Sequence, residues 1–263
     1  MVLVTEVNNI PVYDVCGVPF TAAPPAVVLD AIGGNISGER ANQVISITNS
    51  ESVYFALRQP EHFDYIRRAR FSLCDGMGVV IAGLASGCRI PRFSGPILME
   101  KCCEYGISRG WRHFFYGGKP GVTDLLARRL SQRFPGLLVA GIQTPPFSAT
   151  PFEEDAAVLE AIQQTRPDIL WVGLGILKQE RWITAHVSKL RVPWFVGVGA
   201  AFDFHAGTAK WAPRWIQRIG FEWLYRVCHE PRMLPRDARS FMFLGRALVS
   251  VASAPFRQMR SWR

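Results

Sequence analysis

Ile169-Leu170-Trp171-Val172 runs apolar on every residue and then breaks into Gly173-Leu174-Gly175, followed at once by Lys178-Gln179-Glu180. An apolar run without alternation is expected of a strand covered on both faces of a parallel sheet. Gly173 and Gly175 allow a tight turn and a close approach of backbone to ligand, and the N–H groups of the helix that follows favour an anion such as a diphosphate. The dense polar set after the turn sits at the carboxyl end of a buried strand, where open α/β sheets bind ligands. A glycine pair alone is more simply the mark of a plain βα turn.

The same alternation extends over much of the chain. Gln43 to Thr48, Phe71 to Cys74, Trp111 to Tyr116, Leu137 to Ile142, Asp168 to Val172 and Trp194 to Val198 read as strands. Helical patterns cover Glu51 to Leu57, Glu61 to Arg68, Met77 to Ala85, Pro96 to Ser108, Gly121 to Phe134, Phe152 to Thr165 and Lys178 to Ser188. Upstream, Val12 to Phe20 reads as a hairpin around Gly17. A helix opened by prolines spans Pro24 to Gly33, and Gly33, Gly34 and Gly38 mark a loop. This order predicts a Rossmann-like parallel sheet flanked by helices.

Charge divides the chain. From Lys210 to Arg263 there are eleven basic residues against three acidic ones, a net +8 out of the chain's +9. The expected organisation is a catalytic α/β domain over 1–209 and a basic, helical, membrane-associating appendage over 210–263. On a helix from Trp211 to Val227, Trp211, Trp215, Ile219, Trp223 and Val227 recur every four residues beside Arg214, Arg218 and Arg226, a combination suited to an anionic membrane surface. The competing reading packs the same stripe on the core. No stretch approaches the roughly 20 apolar residues of a membrane helix, and the N-terminus carries no secretory pattern. The six cysteines show no C-x-x-C pair and no zinc spacing, as expected of reduced cytoplasmic thiols.

Several chemistries are absent from the pattern. Gly117-Gly118-Lys119-Pro120-Gly121 follows a strand and precedes a helix but fits neither a dinucleotide fingerprint nor a P-loop. No G-x-S-x-G elbow occurs, the histidines are scattered with His205 read as structural, and no D-x-D motif is present. A bound diphosphate would then be met by backbone N–H groups and arginine. Asp75, at the end of a short strand and beside a glycine, is the carboxylate placed to act as a general base, with a helix N-cap as its ordinary alternative.

Taken together, Asp75-Gly76-Met77-Gly78-Val79-Val80, Gly117 to Gly121, Pro167 to Leu170, Gly173-Leu174-Gly175, Lys178-Gln179-Glu180, Gly197 to Phe204, Ala206-Gly207 and Gly220 to Arg226 resemble the WecG/TagA/CpsF family, the family 26 glycosyltransferases of bacterial surface polysaccharide synthesis. The resemblance runs from about Val12 to about Leu244. It implies a peripheral enzyme at the cytoplasmic face of the plasma membrane, moving a sugar with inversion from a UDP-sugar to a sugar on a polyprenyl diphosphate, with no metal and no cofactor.

By position, the resemblance makes Asp75 the general base. It sets Asn49 and Arg92 near the transferred sugar and the diphosphate, makes Gln179 a pocket residue, and puts Asp203 near the nucleoside. Asp203 has an equal claim to a structural role, tying the loop before Gly207. Gly117, Gly118, Gly173, Gly175 and Lys178 complete the expected donor site. Arg214, Arg218, Arg226, Arg232 and Arg236 are expected at the lipid surface or the acceptor's diphosphate.

The sequence also departs from the family pattern. Ile47 precedes Thr48-Asn49, Ile97 stands where an aspartate is common, Leu177 replaces a proline, and Pro146 replaces an aromatic residue before Phe147. The first two changes shift the expected donor from N-acetylmannosamine or its uronic acid toward glucose, as in xanthan-type synthesis. The acetylated donor acting on lipid-linked N-acetylglucosamine is the alternative. A nucleotide-binding protein without transferase activity and a nucleic-acid-binding module are the rival classes. No nucleic-acid-binding motif supports the latter, and a homo-oligomer is compatible with the sequence.

Overall fold

The computed structural model describes residues 5–7, 10–145 and 156–213, with the single positions 215, 216, 222, 225, 242 and 245. The chain opens with β1 (Thr5–Val7), β2 (Ile10–Val15) and β3 (Val18–Thr21), a three-stranded antiparallel sheet in that order. Cys16 and Gly17 make the two-residue turn of the β2–β3 hairpin with φ of 55° and 86°. Both signs are those of a turn whose twist matches the flanking strands. The Gly17 N–H donates to Asp14 Oδ1 at 2.7 Å.

Six parallel strands form the main sheet: β4 (Gln43–Thr48), β5 (Phe71–Cys74), β6 (Arg112–Gly117), β7 (Leu138–Gln143), β8 (Ile169–Gly173) and β9 (Trp194–Gly197). Their spatial order is β5-β4-β9-β8-β6-β7. The sheet thus grows outward from β4 to β5 on one side and from β6 to β7 on the other. β8 and β9 come last in the chain and fill the centre. Central placement explains why their residues read as continuous apolar runs.

The helices are α1 (Pro25–Ser37), α2 (Ser50–Ala56), α3 (Pro60–Arg68), α4 (Met77–Ala85), α5 (Gly95–Gly106), α6 (Val122–Arg133), α7 (Ala156–Thr165), α8 (Lys178–His186) and α9 (Ala201–Ala206). Alternate strand residues feed two separate cores. Ile169, Trp171, Trp194 and Val196 join α1, α5, α6 and α9 on one face. Leu170, Val172 and Phe195 join α2, α3, α4, α7, α8 and the small sheet on the other. That division is the two-residue period of a strand made visible, with each face covered by its own helical layer.

Three elements differ from expectation. First, α1 continues through Gly33 and Gly34 to Ser37, because tertiary packing outweighs the poor helix propensity of glycine. A Cβ on Gly33 would lie 3.2 Å from the Trp111 ring, and Trp194 Nε1 donates to the Ile32 carbonyl at 3.1 Å. Second, α9 is a helix whose six residues carry no periodic signature to announce it. Third, Trp211 to Pro213 are not helical, and Trp211 stacks on Phe204 with ring centroids 5.7 Å apart, so the first residue of the tail's stripe packs on α9. Trp215, by contrast, is 65% exposed.

Among the described residues no helix is long and apolar enough to cross a membrane. The five described cysteines are free thiols, and Cys102 and Cys103 are both in the core.

Candidate active site

With all six strands parallel, their carboxyl ends deliver Asn49, Asp75, Gly118, Leu174 and Val198 to one edge of the sheet. Asn49 follows β4 and caps α2, its Oδ1 accepting the Ser52 N–H at 2.9 Å. Asp75 follows the neighbouring β5, and its N–H donates to the Thr48 carbonyl at 3.1 Å. The Asp75–Gly78 turn lies directly on the start of α2. A Cβ on Gly76 would sit 3.5 Å from Asn49 Cβ, and one on Gly78 would collide with the Ser50 hydroxyl. The collision gives Gly78 of the Asp-Gly-Met-Gly motif its physical reason, whereas at Gly76 the contact is an ordinary van der Waals distance.

The helix-cap reading of Asp75 does not hold. The residue preceding α4 is Gly76, with no side-chain cap. Among the described residues, the Asp75 carboxylate accepts no hydrogen bond and joins no ion pair, and it is half-buried. Its main chain is held instead by Arg92, whose Nε donates to the Asp75 carbonyl at 2.7 Å. Arg92 reaches this position because its backbone bridges Cys74 in parallel and Phe93 N–H donates to the Cys74 carbonyl at 2.8 Å. From the same side chain, Nη2 meets Glu222 Oε2 at 2.5 Å, both side chains being 18% exposed. Burial, reinforced by the Asp75 charge, pushes the Cys74 thiol up to about 12, so it stays protonated beside the site.

Gln179 and Glu180 form a second constellation where β8 meets β9. Gln179 Oε1 accepts the Gly199 N–H at 2.9 Å, and Gln179 Nε2 donates to Glu180 Oε1 at 3.0 Å. Gln179 is buried, and a Cβ on Gly197 would approach its amide nitrogen to 3.0 Å. Its amide therefore joins two strand ends, while its neighbour Glu180 is buried with Oε2 lacking a hydrogen-bond partner among the described residues. Burial lifts the Glu180 carboxyl to about 7, a rise the nearby Glu51 adds to and local hydrogen bonds offset in part.

The glycine turns divide into two kinds. Gly117 (φ +123°) would place a Cβ 2.7 Å from the Gly173 backbone, and a Cβ on Gly173 would meet the Phe202 ring at 2.8 Å. The Gly118 N–H is already used, donating to the Gly173 carbonyl at 2.9 Å. The close approach that these three permit is therefore to the chain itself. Gly175 (φ +84°) is different, with nothing within 4 Å of a Cβ built there. Leu177 precedes α8 at φ +69°, an angle closed to the proline of the family pattern. Lys178 opens α8.

Asp203, in α9, accepts the Thr208 hydroxyl at 3.1 Å, and its carbonyl accepts the N–H groups of Thr208 and Ala209. It ties the loop around Gly207, the structural of its two expected roles. His205 is likewise structural, its Nε2 lying 2.9 Å from the Pro96 carbonyl. Ile47 and Ile97, the two departures beside the expected sugar site, both pack against the first hydrophobic core. Arg214, Arg218, Arg226, Arg232, Arg236 and Pro146 lie outside the described residues. Among the described residues no group of three or more His, Cys, Asp or Glu side chains converges to hold a metal.

Two residues at the site have roles that the sequence does not reveal. Glu222 is the acidic partner of Arg92; its signals are an acid within a strongly basic tail and its place in the Gly220 to Arg226 stretch that resembles the family. Glu180 gave a clearer hint, an acid directly after a polar residue at a buried strand end.

The Glycosyl transferase WecG/TagA/CpsF family matches residues 13–256. The chain belongs to this family. Among WecG/TagA/CpsF relatives, an N-acetylglucosaminyldiphosphoundecaprenol N-acetyl-beta-D-mannosaminyltransferase of Bacillus subtilis (strain 168) is 26% identical over 215 residues, covering 81% of this chain and 82% of the relative. Proteins of the same name from Staphylococcus aureus are 28% identical in strain MW2, covering 89% of this chain and 91% of the relative, and 29% identical in strain NCTC 8325, covering 85% and 87%. The WecG/TagA/CpsF match thus takes in both the Asp75–Arg92 constellation and the segment that carries Glu222.

Proposed function

We propose that this glycosyltransferase moves an N-acetylmannosamine-type sugar from a UDP-sugar to the N-acetylglucosamine of a polyprenyl-diphosphate-linked acceptor, with inversion and without a metal ion. The observation that carries the reading is the Asp75 carboxylate, free of hydrogen bonds among the described residues at the carboxyl end of β5. It stands in a chain that matches, over most of its length, enzymes named for this transfer.

The chemistry assigns each group one task. Asp75 takes the proton of the acceptor hydroxyl, whose oxygen attacks the anomeric carbon from the side opposite UDP. The bond from that carbon to the diphosphate oxygen breaks, and UDP leaves with the electron pair. Arg92 and the open turn at Gly175 offset the charge growing on the diphosphate. Asn49 shapes the sugar side of the pocket through the α2 cap, and Lys178 stands at the helix start beside the turn. The arginines of 210–263 meet an anionic membrane at its cytoplasmic face, where the acceptor is held.

Ile47 and Ile97 in the sequence point toward a glucosyl donor. Both side chains pack on the apolar core, so they give little ground for excluding an acetylated sugar, and the relatives favour N-acetylmannosamine.

The test is transfer from a panel of UDP-sugars to synthetic polyprenyl-diphosphate-linked N-acetylglucosamine and glucose, read by the mass of the lipid product. An N-acetylhexosamine added to the N-acetylglucosamine lipid is the expected result. A hexose added to the glucose lipid would restore the glucosyl reading, and UDP binding with no transfer would favour a nucleotide-binding protein. Flotation with anionic vesicles, lost on removal of 210–263 and without nucleic-acid affinity, is expected of the peripheral location.

A further inference from the structure

We infer that the outward face of α4 holds the isoprenoid stem of the acceptor, an inference that rests on the lipid-linked acceptor proposed above. All nine residues of α4, Met77-Gly-Val-Val-Ile-Ala-Gly-Leu-Ala85, are without a polar side chain. Its inner face, Val79, Ala82 and Gly83, is buried, and Gly83 lies close against Ile90 and Cys88. The opposite face leaves Ile81 42% and Leu84 58% exposed. A surface helix ordinarily turns polar residues outward, and contiguous exposed aliphatics mark a surface that is covered in use.

Position selects the occupant. α4 follows the Asp75–Gly76 turn without a linker, anchored by the packing of Gly76 and Gly78 on Asn49 and Ser50. From Met77 to Leu84 the helix rises about 10 Å. A sugar and a diphosphate separate the attacking hydroxyl from the first isoprene unit, a span of the same order. The apolar face therefore begins where the acceptor's polar head ends. Charge agrees, since Gly76 to Pro91 contains no acidic residue and its one charged side chain, Arg89, is exposed.

The experiment uses full-length protein in detergent, without a bilayer, and compares the native chain with the double variant Ile81→Gln/Leu84→Gln. Two acceptors carry the same sugar diphosphate, one on a long polyprenyl chain and one on a short soluble alkyl chain. The variant is expected to raise KM for the long-chain acceptor about tenfold, equivalent to about 1.4 kcal/mol, and to leave KM for the short-chain acceptor and kcat unchanged. Long-chain polyprenyl phosphate binding, read by native mass spectrometry, should fall in parallel. An unchanged chain-length preference, or an equal loss on both acceptors, would overturn the inference. Equal polyprenyl phosphate binding by both proteins would overturn it even if no sugar were transferred, separating its failure from that of the proposed function. A native dimer that the variant converts to monomer would reassign the face to a second copy of the chain.

Discussion

Arg92 holds Asp75 by its main chain, Nε–H to carbonyl oxygen at 2.7 Å, and leaves the Asp75 carboxylate unbonded among the described residues. The arginine thus fixes where the carboxylate stands without neutralising it through a direct contact. A general base needs that separation, because a carboxylate already engaged with a guanidinium is a poor proton acceptor.

Asp75→Asn is accordingly expected to lower turnover by roughly 10²–10⁴-fold while nucleotide affinity stays near native. Stability should change by no more than about 0.5 kcal/mol, because no hydrogen bond of the carboxylate is lost. Single-turnover transfer, nucleotide titration and thermal unfolding check the three parts. A variant within fivefold of the native rate would remove Asp75 from the role.

Arg92 and Glu222 are separated by 130 residues in sequence yet share an ion pair of low exposure. A double-mutant cycle with Arg92→Gln and Glu222→Gln should give a coupling energy of about 1–3 kcal/mol in thermal or denaturant unfolding. Coupling indistinguishable from zero would mean that the pair does not join the tail to the site in solution.

Glu180 makes a pH-dependent contribution whose sign can be worked out. Its carboxyl titrates at about 7 in the folded chain against 4.5 for the ordinary group. The folded state therefore binds more protons than the unfolded state between these values, and the stability from this group is lost as pH rises through 7. His62 and His113, lowered by burial to about 4 and about 3, act in the opposite direction below their ordinary 6.5. A comparison with Glu180→Gln isolates the glutamate. The variant should gain on the native protein by up to about 3 kcal/mol between pH 4.5 and pH 8, read by urea unfolding at each pH. A difference independent of pH would mean that the Glu180 carboxyl titrates in the folded chain as it does in the unfolded one.

The glycines separate packing from ligand access. Gly117→Ala forces a Cβ toward the Gly173 backbone at a positive φ and should cost about 3 kcal/mol or more, measured as a fall in melting temperature. Gly175→Ala meets open space and carries only the backbone penalty of roughly 1–2 kcal/mol, so it should fold. Weakened UDP affinity in Gly175→Ala would support that turn as the diphosphate contact, and native affinity would argue against it.

Much of the architecture was legible in the chain. The apolar runs at Ile169–Val172 and Trp194–Val196 announce strands buried on both faces, and both prove central. Asp75 was readable as a residue delivered by a strand end, because strand length and the glycine after it are local properties. The α1 boundary was not legible, since glycine's local cost is offset by Trp111, far along the chain. Nor was the use of the Gly118 N–H, which depends on β6 and β8 becoming neighbours.

The alternation of strands and helices, the glycine turns at strand ends and the concentration of positive charge after Gly207 are all written in the chain, because periodicity and composition report what each segment must bury or expose. Tertiary structure alone decided that Arg92 meets Glu222, that Gln179 spends its amide on Gly199 and Glu180, and that Ile47 and Ile97 face the core. Each of these depends on which distant surfaces are brought together, and a pairing between remote segments leaves no local trace in the residues that make it.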